Sequence, residues 1–118
     1  MRKIRSNLIG IDEGSFTLFS HYDTGGKMWN GSGPREVKRL ITFSETFASP
    51  PSMHVAITLW DVDHSRNKRV DYRTDAITTT DFSVIFRTWS DTKIARVRMS
   101  WRAIGEVPDP DNIWILSD

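Results

Sequence analysis

The strongest constraint on the fold of this chain is a two-residue alternation of apolar and polar side chains between Phe82 and Trp101. Successive side chains of a β-strand point to opposite faces, so this period predicts two strands. One face of the first strand carries Phe82, Val84 and Phe86. Provided that this face is the core, Trp89 points outward. The apolar face of the second strand is formed by Ala95, Val97, Met99, Trp101 and Ala103. Because only a short polar turn separates the two strands, we interpret them as a hairpin.

Alternating segments elsewhere predict an all-β chain. They cover residues 16–20, 37–43, 53–60 and 69–76. Residues 4–11 fit either a strand or an extended arm. No window of 11 residues holds a helical stripe. About six short strands separated by turn signals predict a six-stranded antiparallel β-sandwich.

Turn and loop signals separate the predicted strands. Residues 12–15, with the sequence Asp-Glu-Gly-Ser, predict a turn. Glycines between residues 21 and 34 predict a loop, in which Trp29 is expected to cover the core. Pro50 and Pro51 interrupt the sheet, since proline cannot donate to a ladder of hydrogen bonds.

The length of 118 residues fits one domain with a single core. Within it, residues 1–33 are expected to form the N-terminal strands and the glycine-rich loop. Residues 34–105 form the central part, and residues 106–118 form a C-terminal tail. The apolar segment 112–116 in this tail is expected to dock on the domain or on a neighbouring subunit.

Composition argues against several classes of partner. A net charge of +1 argues against nucleic-acid binding, and no apolar run reaches the roughly 18 residues needed for membrane insertion. The chain has no cysteine, which excludes disulfides and thiolate metal sites. The basic N-terminus is not followed by an apolar stretch, so we expect no signal peptide. The compartment is left open between the cytoplasm and export by a route that needs no signal peptide.

Motifs for catalysis are absent from the sequence. It contains no Gly-x-Ser-x-Gly, no phosphate-binding glycine loop and no His-Glu-x-x-His. Asp61, Asp63 and His64 do not have the spacing of a calcium loop, and we interpret them as a solvated turn or as salt-bridge partners of Arg66 and Arg69. An arginine stripe at positions 96, 98 and 102 fits a solvated sheet face or a subunit interface better than a phosphate site. We therefore expect no enzyme activity, no metal and no cofactor.

One set of motifs extends over the predicted strands between residues 34 and 105. It consists of Phe43-x3-Phe47, Pro51-x3-Val55-x-Ile57-x2-Trp60-Asp61-Val62-Asp63, Asn67-x-Arg69, Asp81-Phe82, Thr88-Trp89-x-Asp91-Thr92 and Val97-x3-Trp101-x-Ala103-Ile104-Gly105. This set resembles the H-type lectin domain. The resemblance implies a six-stranded antiparallel sandwich assembled as a trimer or hexamer. It also implies shallow sites at subunit boundaries for terminal galactose-type sugars, N-acetylgalactosamine in particular.

The resemblance further implies which residues form the sugar site. The arginine that family members direct at sugar hydroxyls matches Arg69, and their aromatic platform matches Trp89. A guanidinium supplies fixed donors, and an indole stacks on the C–H face of a sugar. Asn30 and Gly31 match the loop with which family members contact the sugar or the adjacent subunit.

Two positions depart from the family pattern. Ser32 stands where family members carry a sugar-binding aspartate, and Ser90 replaces a histidine that orients the acetamido sugar. Loss of the carboxylate removes a charge-assisted acceptor, so we expect weaker or redirected selectivity. Asp63 and Asp91 are the candidates to replace that acceptor. Family members also carry cysteines that this chain lacks, so any oligomer here is held by non-covalent contacts.

The sequence therefore predicts a glycan-binding lectin without catalysis, presented on a homotrimer or homohexamer. Shallow sugar sites are weak singly, and several on one oligomer raise avidity without new contacts. The alternative is a structural oligomerisation or cell-adhesion module whose sugar site is degenerate, which the two serines favour.

Overall fold

The computed structural model describes residues 1–5 and 7–110, and the predicted docking segment 112–116 lies outside them. The strands are β1 (Ile9–Phe19), β2 (Arg35–Thr42), β3 (Ser52–Val62), β4 (Val70–Asp75), β5 (Asp81–Thr88) and β6 (Ile94–Glu106). They form two antiparallel sheets: sheet A has the order β1-β6-β3, and sheet B has the order β2-β5-β4. The predicted all-β antiparallel sandwich is confirmed.

Strands β5 and β6 are the central strands of the two sheets. β5 pairs with β2 and β4, whereas β6 pairs with β1 and β3, so the predicted hairpin is wrong. Both β5 and β6 have an apolar face, and these two faces pack against each other between the two sheets. The ring of Phe82 packs edge-on against Trp101 with centroids 5.3 Å apart. The predicted faces are confirmed by the side chains with 0% exposure, which include Phe82, Val84, Phe86, Val97, Met99 and Ala103.

β1 runs without a break through residues 12–15, where the sequence predicted a turn. Gly14 is needed there for packing, because a Cβ atom would lie 2.9 Å from the indole Nε1 of Trp101. Glu13 points outward, and its carboxylate lies 3.0 Å from Arg102 on the neighbouring strand. The turn prediction is wrong because the roles of Glu13 and Gly14 depend on Arg102 and Trp101, which are far away in the sequence.

Residues 20–33, here called the α1–α2 lobe, contain two one-turn helices where the sequence predicted a loop. These are α1 (His21–Thr24) and α2 (Lys27–Asn30). Gly25 ends α1 in the left-handed conformation with φ of 70°. The backbone N–H of Met28 donates to Nδ1 of His21 at 3.0 Å, and the Met28 side chain is fully buried. Burial, with a smaller contribution from Lys27, lowers the pKa of His21 and so favours the neutral ring that this hydrogen bond requires.

The arginine stripe of β6 lies on the exposed face of sheet A. Arg96 pairs with Asp61 at 3.5 Å, and Arg102 pairs with Glu13 of β1.

Asp63 accepts hydrogen bonds from the backbone N–H and hydroxyl of Ser65, and these bonds lower its pKa. Across residues 1–5 and 7–110 no three His, Cys, Asp or Glu side chains are placed to hold a metal ion. In the same residues no helix has the length and apolar character to cross a membrane.

Candidate binding site at the end of β5

An open pocket of about 590 Å³ lies where β2 begins and β5 ends. Antiparallel pairing aligns Glu36 with Arg87 and Arg35 with Thr88. Side-chain alternation then exposes Glu36, Arg87 and Trp89, whereas Arg35 and Thr88 are buried. The pocket is lined by Pro34, Arg35, Glu36, Arg87, Thr88 and Trp89.

The exposed part of this pocket combines an indole, a guanidinium and a carboxylate. Trp89 is 37% exposed, so its ring is accessible on the face that strand parity predicts. Arg87 donates from Nε to Asp71 at 2.8 Å, and its Cζ lies 5.9 Å from the centroid of the Trp89 ring. Glu36 is the strand neighbour of Arg87 on the other side. The arrangement offers a flat apolar surface bordered by hydrogen-bond donors and acceptors.

Arg69 directly precedes β4, near the end of β5. Val70, the residue after Arg69, pairs with Thr88, the residue before Trp89. The backbone N–H of Arg69 donates to the hydroxyl of Thr92 at 3.1 Å, and its carbonyl accepts a hydrogen bond from the Thr88 hydroxyl. The side chain of Arg69 is exposed and is not among the residues that line the pocket. The arginine that the sequence singled out therefore lies near the end of β5 but outside the pocket formed by one chain.

Ser90 joins the end of β5 to the α1–α2 lobe. Its backbone is left-handed with φ of 63°, and its carbonyl accepts a hydrogen bond from the N–H of Gly33 at 2.9 Å. Ser32 is exposed and is next to Gly33 in the chain. The structure thus brings the Ser32 loop to the turn that follows Trp89.

Asn30 and Gly31 shape this loop at the end of α2. Asn30 is the last residue of the helix, and the N–H of Gly31 donates to the carbonyl of Lys27 at 2.8 Å. A Cβ atom on Gly31 would lie 2.5 Å from that same carbonyl oxygen. Glycine is therefore required at position 31 by a close approach of the backbone.

Asp91, a candidate to replace the missing family aspartate, already has a partner. Its carboxylate accepts a hydrogen bond from the side-chain amide of Asn67 at 2.9 Å, and this bond lowers the pKa of Asp91. Asp63 is held by Ser65 in a turn. The carboxylate that lines the Trp89 pocket is that of Glu36.

Arg35, Glu36 and Arg87 were missed by sequence reasoning. Arg87 shares the strand face of Trp89, so parity alone could have found it. Arg35 shares the inward face of Val37, which marks it as a buried charge in need of partners. Glu36 could not have been found, because its place beside Arg87 depends on the register between β2 and β5.

Arg35 ties the α1–α2 lobe to the turn after β5. Its guanidinium donates to the carbonyl of Gly33 at 2.8 Å and to the carbonyls of Lys27, Met28 and Ser90 at 3.3 Å each. The residue is 7% exposed, and burial lowers its pKa. A single side chain therefore fixes both segments that border the pocket.

The two antiparallel sheets form a β-sandwich, and an exposed pocket lies at the end of β5 in sheet B. The chain belongs to the H-type lectin domain family, whose family model matches residues 38–104. A protein of Fuscovulum blasticum called ATP synthase subunits region ORF 7 is 45% identical over 104 residues, which cover 88% of this chain and 90% of that protein.

Solved structures of discoidin II from Dictyostelium discoideum have the same fold. The native recombinant protein superposes with a TM-score of 0.72 at 19% identity and 85% coverage of this chain. The wild-type protein superposes with a TM-score of 0.70 at 20% identity and 88% coverage. This chain spans only 38% and 40% of the length of those discoidin chains. Family membership supports a carbohydrate-binding lectin, and the family and fold are in general non-enzymatic.

Proposed function

We propose that this protein binds terminal galactose-type sugars, galactose or N-acetylgalactosamine, at the pocket beside Trp89. The observation that carries the proposal is an exposed indole that shares one pocket with a guanidinium and a carboxylate. The C–H face of a sugar ring stacks on an indole, and its hydroxyls need both donors and acceptors. Arg87 provides the donors and Glu36 the acceptor within one chain.

Glu36 compensates in this proposal for the two departures from the family pattern. Ser32 and Ser90 stand where family members carry an aspartate and a histidine, so the family's acidic acceptor is missing. A carboxylate accepts hydrogen bonds roughly twice as strongly as a neutral group. Glu36 brings such a group to the lining of the same pocket. Selectivity among galactose-type sugars then depends on Glu36 rather than on position 32.

We further propose that the site is completed at a boundary between subunits, where Arg69 acts. The edges of β3 and β4 border an apolar groove of about 410 Å³, here called the apolar edge. It is lined by Ile57, Thr58, Leu59, Trp60, Val70 and Tyr72. Trp60 is 45% exposed and Leu59 is 38% exposed, which leaves apolar surface uncovered in a single chain. Arg69 precedes Val70, so a second copy docked on this edge comes next to its guanidinium.

The apolar edge leads to a prediction for the assembly. Trp60→Glu is expected to convert an oligomer, three times the chain mass of 13.6 kDa or a multiple of it, into single chains. A charge at the centre of an apolar contact is costly to bury. Sedimentation velocity measures the mass, and Leu40→Glu is the matched control, because Leu40 is 61% exposed elsewhere on the surface. If Trp60→Glu has the same mass in solution as the wild type, the contact between subunits does not use the apolar edge.

Glycan binding by the wild-type protein tests the proposed function. On an array of immobilised glycans we expect selective retention by structures that end in galactose or N-acetylgalactosamine. Free monosaccharide is expected to compete only at high concentration, because avidity comes from several weak sites. If the protein binds no glycan on the array, the proposed function is wrong.

A second candidate function is an oligomerisation or adhesion module without a working sugar site. The apolar edge and the two serines favour it, since neither requires a ligand. Mass measurement gives an oligomer under both functions. An intact oligomer that binds no glycan identifies the second candidate.

A further inference from the structure

A second groove, of about 290 Å³, is lined in part by the α1–α2 lobe. Its lining comes from the lobe, from the end of β3 and from the start of β6. The lining residues are Ser20, Tyr22, Asp23, Trp29, Asp61, Ala95 and Arg96. None of them lines the Trp89 pocket. Its volume is at the lower end of the range of small-ligand sites, roughly 300 Å³.

Two aromatic rings form the apolar part of this groove. The sequence predicted that Trp29 covers the core, but the neighbouring Met28 enters the core and Trp29 stays half-buried at the groove. Tyr22 packs edge-on against Trp29 with centroids 5.3 Å apart and is itself 64% exposed. An aromatic pair that is left open to solvent beside a concave surface provides a stacking platform.

The polar part of the groove supplies both donors and acceptors. Arg96 and Asp61 form an ion pair at 3.5 Å, with half of each side chain exposed. The Asp23 carboxylate accepts a hydrogen bond from the Ser20 hydroxyl through one oxygen. The Nζ of Lys93 lies 5.9 Å from the Trp29 ring. Two carboxylates and two cations balance, so the groove suits a neutral polyol better than an ion.

The lobe is held in place before any ligand arrives. The hydrogen bond from Met28 to His21 and the two bonds from Arg35 to the carbonyls of Lys27 and Met28 fix α2, which carries Trp29. A Cβ atom on Gly26 would lie 2.3 Å from the ring of His21, so the two helices are in tight contact. A platform fixed in this way binds without a cost for ordering its own loops.

We propose that the Tyr22–Trp29 groove is a second sugar-binding site, which takes one neutral hexose unit of a glycan. This inference shares the class of ligand with the proposed function but does not require the Trp89 pocket to bind. The aromatic pair stacks on the ring of the hexose, Arg96 donates to its hydroxyls, and Asp23 and Asp61 accept from them. The lining of the Trp89 pocket begins at Pro34, directly after the lobe that lines this groove, so one chain presents two contact points to a branched or extended glycan.

Nuclear magnetic resonance of the indole N–H signals tests the second site. The protein is titrated separately with galactose, N-acetylgalactosamine, glucose, mannose and choline, and the signals of Trp29 and Trp89 are followed. We expect at least one of these sugars to shift the Trp29 signal with saturation. That shift should persist in Trp89→Ala, because the two sites are separate.

Variants of the groove give the second arm of the test. Tyr22→Ala and Arg96→Gln are each expected to weaken the response of Trp29 by about fivefold, as expected for one lost stacking or hydrogen-bond contact. Arg98→Gln is the matched control, because Arg98 is also exposed on β6 but does not line the groove. The control is expected to leave the response unchanged. Arg96→Gln is at an exposed position, so it remains informative if Tyr22→Ala alters the lobe.

Each outcome bears on one proposal. No Trp29 shift with any sugar, with Trp89 shifting, overturns the second site and leaves the proposed function intact. A Trp29 shift that disappears in Trp89→Ala also overturns it, since the shift is then transmitted from the first site. If choline shifts the Trp29 signal with saturation and no sugar does, the groove is a cation site, and the proposed second sugar site is wrong. A Trp29 shift without any Trp89 shift supports the groove and counts against the Trp89 pocket.

Discussion

Arg35→Met is expected to lower the free energy of unfolding by about 3 kcal/mol, because it removes several charge-assisted hydrogen bonds at a buried position. The guanidinium donates to four carbonyl groups, at distances of 2.8–3.3 Å. Methionine fills a similar volume but has no donor, so the four carbonyls lose this partner. Urea denaturation of both proteins measures the difference.

Two further variants separate the hydrogen bonds from the loss of charge. Arg35→Lys keeps the charge, but an ammonium group cannot reproduce the fork of donors, so we expect more than half of the loss to remain. Arg39→Met is the matched control on the same strand. Arg39 is exposed and donates to one carbonyl, that of Thr17, at 3.1 Å, so we expect a change below about 1 kcal/mol. Equal losses for Arg35→Met and Arg39→Met contradict the role of Arg35.

The position of Arg35 also explains how the pocket is built. The two segments that border Trp89 are far apart in the sequence, and each has a carbonyl bound to this guanidinium, at Gly33 and at Ser90. Burial of a charge is costly unless its hydrogen bonds are satisfied. In the part of the chain that the structure describes, no buried side-chain nitrogen or oxygen lacks a partner. Stability and site geometry are therefore coupled through one residue.

Period-two alternation was sufficient to predict the faces of the strands. Phe82 and Val97 are fully buried, and Trp89 is exposed on the opposite face, as parity predicts. These properties follow from the local geometry of a strand, which fixes the direction of each side chain relative to its neighbours. The fold class and the outward direction of the indole could therefore be derived from the sequence.

Pairing between strands could not be derived in the same way. Two consecutive strands with apolar faces are compatible with a hairpin and with a crossing between sheets, and local pattern does not distinguish these. Glu36 enters the pocket only because of its pairing with Arg87. Gly14 resembles a turn residue in the sequence, but its role is set by the indole of Trp101. Long-range contacts decided each of these cases.

Trp89→Ala is expected to weaken binding of free N-acetylgalactosamine about thirtyfold, or roughly 2 kcal/mol, through loss of the stacked apolar surface. Titration calorimetry with the monosaccharide measures single sites, so avidity does not mask the loss. Trp89→Phe keeps part of the ring surface and is expected to lose only about threefold. Leu40→Ala removes an exposed apolar side chain outside the pocket and is expected to change nothing. Affinity within twofold of wild type for Trp89→Ala, at unchanged mass, contradicts the pocket.

The two arginines near the end of β5 then distinguish a site within one chain from a site at a subunit boundary. Arg87 lines the pocket of the single chain, so Arg87→Gln is expected to weaken binding about tenfold in any assembly state. Arg69 lies outside that pocket, on the side of the apolar edge. If a neighbouring chain completes the site, Arg69→Gln weakens binding in the oligomer and adds nothing to the loss in Trp60→Glu. Additive losses in the double variant instead mean that Arg69 contacts the sugar within its own chain, because independent effects add.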